Sequence, residues 1–190
     1  MGNKLSRRGF LGSAAGVAAA ASVHGRTAAK TPVKPWKFVH VTDIHVGSPR
    51  SFRFAPAWNE NWQTARRQII ACEPDLLLLG GDLTRDGSIH RFELEAVKED
   101  LDTLPFPWRV TPGNMDTGNK HTDKQGIRKN RDDLALNMTS GQLKQFESVF
   151  GPHCWTFVHK NVRFSSFCDM VAGSGLPEEK PFWAWLEAQR

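Results

Sequence analysis

The chain has 190 residues, which is enough for one domain with a sizeable hydrophobic core. Its formal net charge is +5, but residues 1–29 contain four basic residues and no acid, so the rest of the chain carries only +1. A charge this small does not indicate a nucleic-acid-binding protein or one that binds a membrane surface, and we expect neither partner.

The N-terminal residues have the features of an export signal. Two adjacent arginines, Arg7 and Arg8, precede an aromatic residue, a leucine and the alanine-rich run 11–21. A disordered basic tail is the alternative, but three independent features line up here, so we predict a twin-arginine signal peptide over 1–29 and a linker over 30–35. We therefore expect the twin-arginine translocation machinery as a partner and a periplasmic or secreted location. The run is shorter than the roughly 20 apolar residues that span a bilayer, and no cysteine follows it, so no stable membrane anchor is expected.

The remaining residues, 36–190, begin with alternating strands and helices. Apolar runs predict strands at 36–42, 75–79 and 108–111, and helical spacing of apolar residues predicts helices at 56–72 and 91–104. The second half is predicted to contain a long polar loop at 117–137, a helix capped by Ser140 at 140–150, a hairpin of 155–158 and 162–167, and a last helix at 178–189. This order of elements indicates an α/β fold with right-handed crossovers.

The first two predicted helices each have one apolar face. In the first, Trp62, Ile69 and Cys72 fall on an apolar stripe, which we expect to be buried. In the second, the charged residues are predicted to form a solvated face: Glu93, Glu95, Lys98, Glu99 and Asp102.

The chain has three cysteines, and none lies in a Cys-x-x-Cys pair, so neither a zinc knuckle nor a redox motif is indicated. We expect all three cysteines to be small, buried apolar side chains. Whether Cys154 and Cys168 face each other across the hairpin depends on a strand register that the sequence leaves open.

Each of the three strands predicted in the first half ends in polar residues. Asp43 and His45 follow the first, and residues two apart in an extended chain point the same way, so both can bind one ion. Asp82 follows the second strand and Asn114 the third, each directly after a glycine. The carboxyl ends of parallel strands meet at one edge of a sheet, so we expect these four side chains to converge. Oxygen ligands with one imidazole suit Mn, Fe or Zn.

These segments together resemble the calcineurin-like metallophosphoesterases. The matching motifs are Asp43-x-His45, Gly81-Asp82 and Gly113-Asn114-x-Asp116, and the exported branch of the family is matched by Gly118-Asn119-Lys120. Later landmarks of the family are matched by Phe150-Gly151-Pro152, Trp155-Thr156-Phe157 and Trp185-Leu186-Glu187. The resemblance covers about residues 36–190.

The resemblance implies a fold, a metal centre and a reaction. The fold would be a sandwich of two mixed sheets flanked by helices. Asp43 and His45 would bind a first divalent ion, Asp82 would bridge two ions, and Asn114 would bind the second, which makes Asp82 and Asn114 the expected catalytic residues. The reaction would be hydrolysis of a phosphoester by water that the two cations activate.

Two features depart from the family pattern. Met115 stands where the family has a histidine, and a thioether cannot donate a proton. Asp116, which would orient that histidine, is expected to lack this usual partner. The chain also ends at Arg190 without the isolated histidine and the Gly-His-x-His pair that supply the family's remaining ligands. We therefore expect the N-terminal part of the domain, incomplete at its C-terminus, with at most one weakly held ion.

The function expected from the sequence is that of a metal-dependent phosphoester hydrolase, impaired or inactive as this chain. The alternative is a non-catalytic exported binding protein on a degenerate phosphoesterase scaffold. The four potential ligands favour the first for the lineage, and Met115 favours the second for this chain.

Overall fold

Three short parallel strands form the central sheet in the computed structural model of the chain. They are β1 (Phe38–Val41), β2 (Leu76–Leu79) and β3 (Trp108–Val110), in the order β1-β2-β3. The last residues of the three strands, Val41, Leu79 and Val110, lie opposite one another, so the strands end at the same edge. The middle strand consists of leucines that are mostly fully buried, as its continuous apolar run predicts.

The structure describes residues 34–51, 54–118 and 138–190. The predicted signal peptide lies outside these ranges. So do His121 and most of the loop predicted at 117–137.

Two helices connect the strands of the central sheet. They are α1 (Pro56–Ala71) and α2 (Arg91–Asp102), and α1 begins with the proline that the first helical position tolerates. Trp62 and Ile69 are buried in one core cluster with the apolar face of α2, as predicted. The prediction for Cys72 is wrong: the helix ends at Ala71 and the chain turns there toward β2, which leaves this cysteine exposed.

One charged residue of α2 is not on the solvated face. Glu93 lies in the first turn, is only 2% exposed, and accepts hydrogen bonds from the Ser51 hydroxyl and the Asp86 backbone N–H. The prediction of a solvated side chain is therefore wrong for Glu93, because a loop far away in the sequence covers the start of this helix. Farther along α2, Lys98 and Asp102 form an exposed ion pair, as expected of a solvated face.

A short helix, α3 (Asn114–Thr117), begins after the loop 111–113 that follows β3, and α4 (Ser140–Phe150) begins at the predicted residue. The cap of α4 is Thr139 and not Ser140. The Thr139 hydroxyl accepts from the Gln142 N–H at 3.2 Å, and the Gln142 side-chain oxygen accepts from the Thr139 N–H at 3.0 Å. This reciprocal pair of bonds fixes the start of the helix.

The predicted hairpin consists of β4 (Cys154–His159) and β5 (Val162–Phe167), which pair antiparallel. Its turn residues, Lys160 and Asn161, both have positive φ angles, of 45° and 67°, as a two-residue type I′ turn requires. The α/β class is confirmed. Within the described ranges one sheet is wholly parallel and the other wholly antiparallel, so the mixed sheets that the resemblance implied are not seen there.

The hairpin packs against the central sheet and leads into the last described helix. The Trp155 indole N–H donates to the Val110 carbonyl oxygen at 2.7 Å. A 3₁₀ turn (Asp169–Val171) precedes α5 (Glu179–Glu187), whose Phe182 is buried in a second, smaller core. Among the helices that the structure describes, none has the length and apolar character needed to cross a bilayer.

Candidate metal centre

The loops after β1 and β2 run side by side beyond the edge of the sheet. The N–H groups of Asp43, His45 and Val46 donate to the carbonyl oxygens of Gly81, Asp82 and Leu83, at 2.9–3.0 Å. Backbone hydrogen bonds therefore hold together the two loops that carry three of the four predicted site residues.

Asp43, His45 and Asp82 share an unusual backbone conformation. Their φ angles are 59°, 46° and 49°, in the left-handed region that residues other than glycine adopt uncommonly. Such angles cost free energy and cluster at functional sites. Asp43 and His45 thus come together through a left-handed turn, and the extended backbone expected between them is not what brings their side chains to one place.

The three side chains converge. His45 Nε2 lies 3.6 Å from Asp43 Oδ1 and 4.0 Å from Asp82 Oδ2, and one potential ligand atom from each residue lies within 4.8 Å of the others. The Asp82 side chain is 18% exposed, whereas that of Asp43 is 61% exposed. The cluster is therefore accessible to solvent on the side of Asp43.

These separations suit one shared cation. Two ligand atoms that each lie about 2.0–2.2 Å from a transition-metal ion are roughly 3–4 Å apart. The nitrogen of His45 and the oxygens of Asp43 and Asp82 need only small shifts to reach that arrangement. Two carboxylates and one imidazole form a donor set that Mn, Fe or Zn accepts.

Asn114 joins this group through Asp82. With its amide oriented to satisfy its hydrogen bonds, Asn114 donates to both carboxylate oxygens of Asp82, at 3.2 and 3.3 Å. The Met115 backbone N–H donates to Asp82 Oδ1 at 3.0 Å. The residue before Asn114 must be a glycine, because a Cβ atom at Gly113 would overlap the Asp82 carboxylate. The structure thus places all four predicted residues together, and their role as ligands stays a prediction.

Asp116 is fully buried, and with Met115 in place of its usual histidine partner, other groups surround its carboxylate. Its carboxylate accepts from the N–H groups of Leu83 at 3.1 Å, Thr84 at 2.9 Å and Gly113 at 2.8 Å, and from the Thr84 hydroxyl at 2.7 Å. Burial raises the pKa of Asp116 to about 6, although these hydrogen bonds act in the opposite direction. Asp116 therefore connects the loop after β2 to the loop after β3.

The other described histidines have contacts elsewhere. His153 Nδ1 is 2.6 Å from a carboxylate oxygen of Glu147, and the His159 ring packs edge-on against Trp36 at 4.9 Å. His90 directly precedes α2, and its Nε2 lies 3.7 Å from a carboxylate oxygen of Asp86. Neither His153 nor His159 belongs to the group formed by Asp43, His45 and Asp82.

Comparison with known proteins identifies a family for the chain. The family model described as calcineurin-like phosphoesterase matches residues 37–188, which include every loop of the candidate site. A protein of Pseudoalteromonas sp. (strain SM9913) named probable cyclic nucleotide phosphodiesterase is 33% identical over 81 residues. The aligned segment is 42% of this chain and 31% of that relative, so the chain matches less than a third of the relative's length.

Proposed function

The chain belongs to the calcineurin-like phosphoesterase family, and from this premise we propose that it is a metal-dependent phosphoester hydrolase. The observation that carries the proposal is the convergence of Asp43, His45 and Asp82. All three residues lie in the left-handed region beyond the ends of parallel strands, and their side chains meet at one place. Strained backbone conformations of this kind cluster at functional sites.

Asp43, His45, Asp82 and Asn114 are the residues that would hold a divalent Mn, Fe or Zn ion. A bound ion would supply Lewis acidity and lower the pKa of a water molecule. The chain itself fixes the orientation of a ligand, because the Met115 N–H and the Asn114 amide both donate hydrogen bonds to the Asp82 carboxylate. The exposure of Asp43 leaves one side of the cluster open to a phosphoester.

We propose that this chain holds at most one ion, and holds it weakly. His45 is the one histidine of the cluster. Its second ring nitrogen, Nδ1, is buried and has no hydrogen-bond partner in the described part of the chain, whereas a metal-binding histidine usually donates that N–H to a neighbour. Elemental analysis after dialysis is expected to find less than one equivalent, and two tightly held ions per chain would contradict the proposal.

Met115 limits the reaction to esters with good leaving groups. Its thioether cannot protonate a departing oxygen, and its side chain is buried at 8% exposure. A nitrophenolate departs without protonation, whereas an alkoxide needs it. The relative is named a probable cyclic nucleotide phosphodiesterase, so phosphodiesters are the first class of substrate to test.

The decisive experiment measures hydrolysis of bis(4-nitrophenyl) phosphate by the full chain with added Mn²⁺. We expect slow hydrolysis that requires the ion and that Asp82→Asn abolishes. Asp102→Asn is the matched control, because Asp102 is an exposed carboxylate paired with Lys98 on α2. Equal rates for the two variants would contradict a catalytic role for this cluster.

A non-catalytic binding protein on the same scaffold is the second candidate, and Met115 favours it. In that case calorimetry would find binding of Mn²⁺ and of phosphate monoesters or diesters, while the hydrolysis assay would find no product. Under either candidate we propose export by the twin-arginine route to a periplasmic or secreted location. A fusion of residues 1–35 to a folded reporter should be exported, and replacement of Arg7 and Arg8 by lysine should stop it.

A further inference from the structure

Glu93 is a buried acid that contacts two of the loops of the candidate site. Its Oε1 accepts from the hydroxyl of Ser51 and, at 3.4 Å, from that of Ser48, and its Oε2 accepts from the Asp86 N–H at 2.7 Å. Ser48 lies three residues after His45, and Asp86 lies four residues after Asp82. Glu93 therefore joins the loop after β1 to the loop after β2.

The carboxylate oxygens of Glu93 accept hydrogen bonds from both of these loops. Two hydroxyl groups and one N–H satisfy its oxygens, and its place in the first turn of α2 puts it at the positive end of the helix dipole. An acid this deeply buried is costly unless its hydrogen bonds hold it in one geometry. These bonds therefore restrict where the two serines and Asp86 can lie.

The loop over residues 47–51 is fixed from a second side as well. The Asn59 side chain of α1 accepts from the Gly47 N–H at 3.0 Å and donates to the Gly47 carbonyl oxygen at 2.9 Å. The Arg50 guanidinium lies over the Phe92 ring at 4.2 Å. Side chains of both α1 and α2 therefore contact the segment 47–51, which follows His45.

Two buried acids, Glu93 and Asp116, connect the three loops of the site. Glu93 connects the loop after β1 to the loop after β2, and Asp116 connects the loop after β2 to the loop after β3. Asp116 belongs to the family motif, but Glu93 does not, and the sequence pattern places it on the solvated face.

We propose that Glu93 is a positioning residue of the candidate metal centre, which sets the place of His45 relative to Asp82 by holding their loops together. The inference rests on the proposed metal site. Residues beyond the ligands that orient a metal site typically change affinity about 10–100-fold when replaced.

Two variants test the proposal against one control. Glu93→Gln puts an amide group where one carboxylate oxygen accepts hydrogen bonds, and Ser51→Ala removes one of its bonds while leaving the charge in place. Asp100→Asn is the control, since Asp100 lies on the same helix and accepts from the Trp62 indole at 2.8 Å but contacts neither loop. Comparison of Ser51→Ala with Glu93→Gln separates loss of position from loss of a nearby negative charge.

Mn²⁺ affinity of the full chain, measured by calorimetry, is the first readout. We expect about a 10–100-fold loss for Glu93→Gln, a smaller loss for Ser51→Ala, and a change of less than about 2-fold for Asp100→Asn. Equal losses in Glu93→Gln and Asp100→Asn would overturn the proposal, because the effect would then follow general stability. If Glu93→Gln does not fold, the Mn²⁺ affinities of Ser51→Ala and Asp100→Asn are compared instead, and equal losses in these two variants would overturn the proposal.

Amide hydrogen exchange is the second readout and needs no metal. The N–H groups of His45 and Val46 donate to the loop after β2, so their exchange reports whether the two loops stay together. We expect faster exchange at both in Glu93→Gln and Ser51→Ala, and unchanged exchange in Asp100→Asn; unchanged exchange in all three would overturn the proposal. If the unmodified chain binds no Mn²⁺, the proposed function fails while this comparison still tests the role of Glu93.

Discussion

Asp116 accepts two hydrogen bonds from Thr84, one from its backbone N–H at 2.9 Å and one from its hydroxyl at 2.7 Å. With the bonds from Leu83 and Gly113, four donors surround this fully buried carboxylate. Since the second and third loops of the site meet here, the carboxylate supports both of them at once.

Asp116→Asn should destabilise the protein although it changes the side chain's size very little. The new amide group would point a donor at N–H groups of Leu83 or Gly113, which leaves buried donors without an acceptor. We expect the free energy of unfolding, measured with urea, to fall by about 2–3 kcal/mol. Asp102→Asn on the exposed part of α2 is the control and should change it by less than about 0.5 kcal/mol. Equal effects would contradict this role of Asp116.

The three strands, their parallel arrangement and the meeting of their ends could be predicted from the sequence. A run of four leucines at 76–79 is typical of a strand buried on both faces, as in a parallel sheet, and the carboxyl ends of parallel strands share one edge. What the pattern did not predict is how Asp43 and His45 come together. Their left-handed φ angles depend on backbone bonds to Gly81 and Asp82, far away in the chain.

Glu93 shows the limit of helical periodicity. The spacing of apolar residues on α2 correctly places Leu94, Val97 and Leu101 in the core. The same spacing places Glu93 on the solvated face. The contacts that bury Glu93 come from Ser48 and Ser51, more than 40 residues earlier in the chain. A pattern within one helix carries no information on that loop.

Gly113→Ala should disturb the site itself. The added Cβ would overlap the carboxylate and the backbone nitrogen of Asp82, so one of the two loops must move. We expect loss of Mn²⁺ affinity by at least about 10-fold and a stability loss of about 1–3 kcal/mol. Gly141→Ala in α4 is the matched control: the added Cβ would lie 3.8 Å from the Thr139 hydroxyl oxygen, and the substitution should stabilise the helix by up to about 1 kcal/mol. Unchanged affinity in Gly113→Ala would contradict the observed packing.

The three cysteines should differ sharply in reactivity. Cys72 is exposed at the end of α1, whereas burial raises the pKa of Cys154 to about 11 and that of Cys168 to about 12. At pH 8 only about one part in a thousand of a thiol with a pKa near 11 is the reactive thiolate. We expect a disulfide reagent to label one thiol per folded chain within minutes and three in guanidinium. Rapid labelling of folded Cys72→Ser would contradict this assignment.

Acid should loosen the start of α5 through Glu179. Hydrogen bonds from the N–H groups of Gly175 and Gly173, with one from the Trp183 indole, hold the pKa of Glu179 below its ordinary value of 4.5. A carboxylate with a lowered folded-state pKa contributes stability above the unfolded value, and this contribution is lost as pH falls through the folded value. We expect the thermal midpoint to fall less below about pH 4.5 in Glu179→Gln than in the unmodified protein. Glu187→Gln, on the same helix, should keep the full pH dependence.

Met115→His tests whether the missing proton donor limits the reaction. The substitution keeps the backbone N–H that donates to Asp82, so the carboxylate retains its orientation. A histidine can protonate a departing alkoxide, and such general acid assistance is typically worth about 10²–10⁴-fold. At saturating Mn²⁺ we therefore expect Met115→His to raise the rate on alkyl phosphodiesters far more than on bis(4-nitrophenyl) phosphate.

The ratio of the two gains separates the possible roles of that histidine. An equal gain on both esters would mean that it stabilises charge in the transition state and does not deliver a proton. Met115→Leu is the control, since leucine has similar volume and no donor, and should leave both rates within a few-fold of the original. No gain for Met115→His on either ester, with Mn²⁺ affinity unchanged, would contradict the assignment of the defect to Met115. That result would favour the binding protein over the hydrolase.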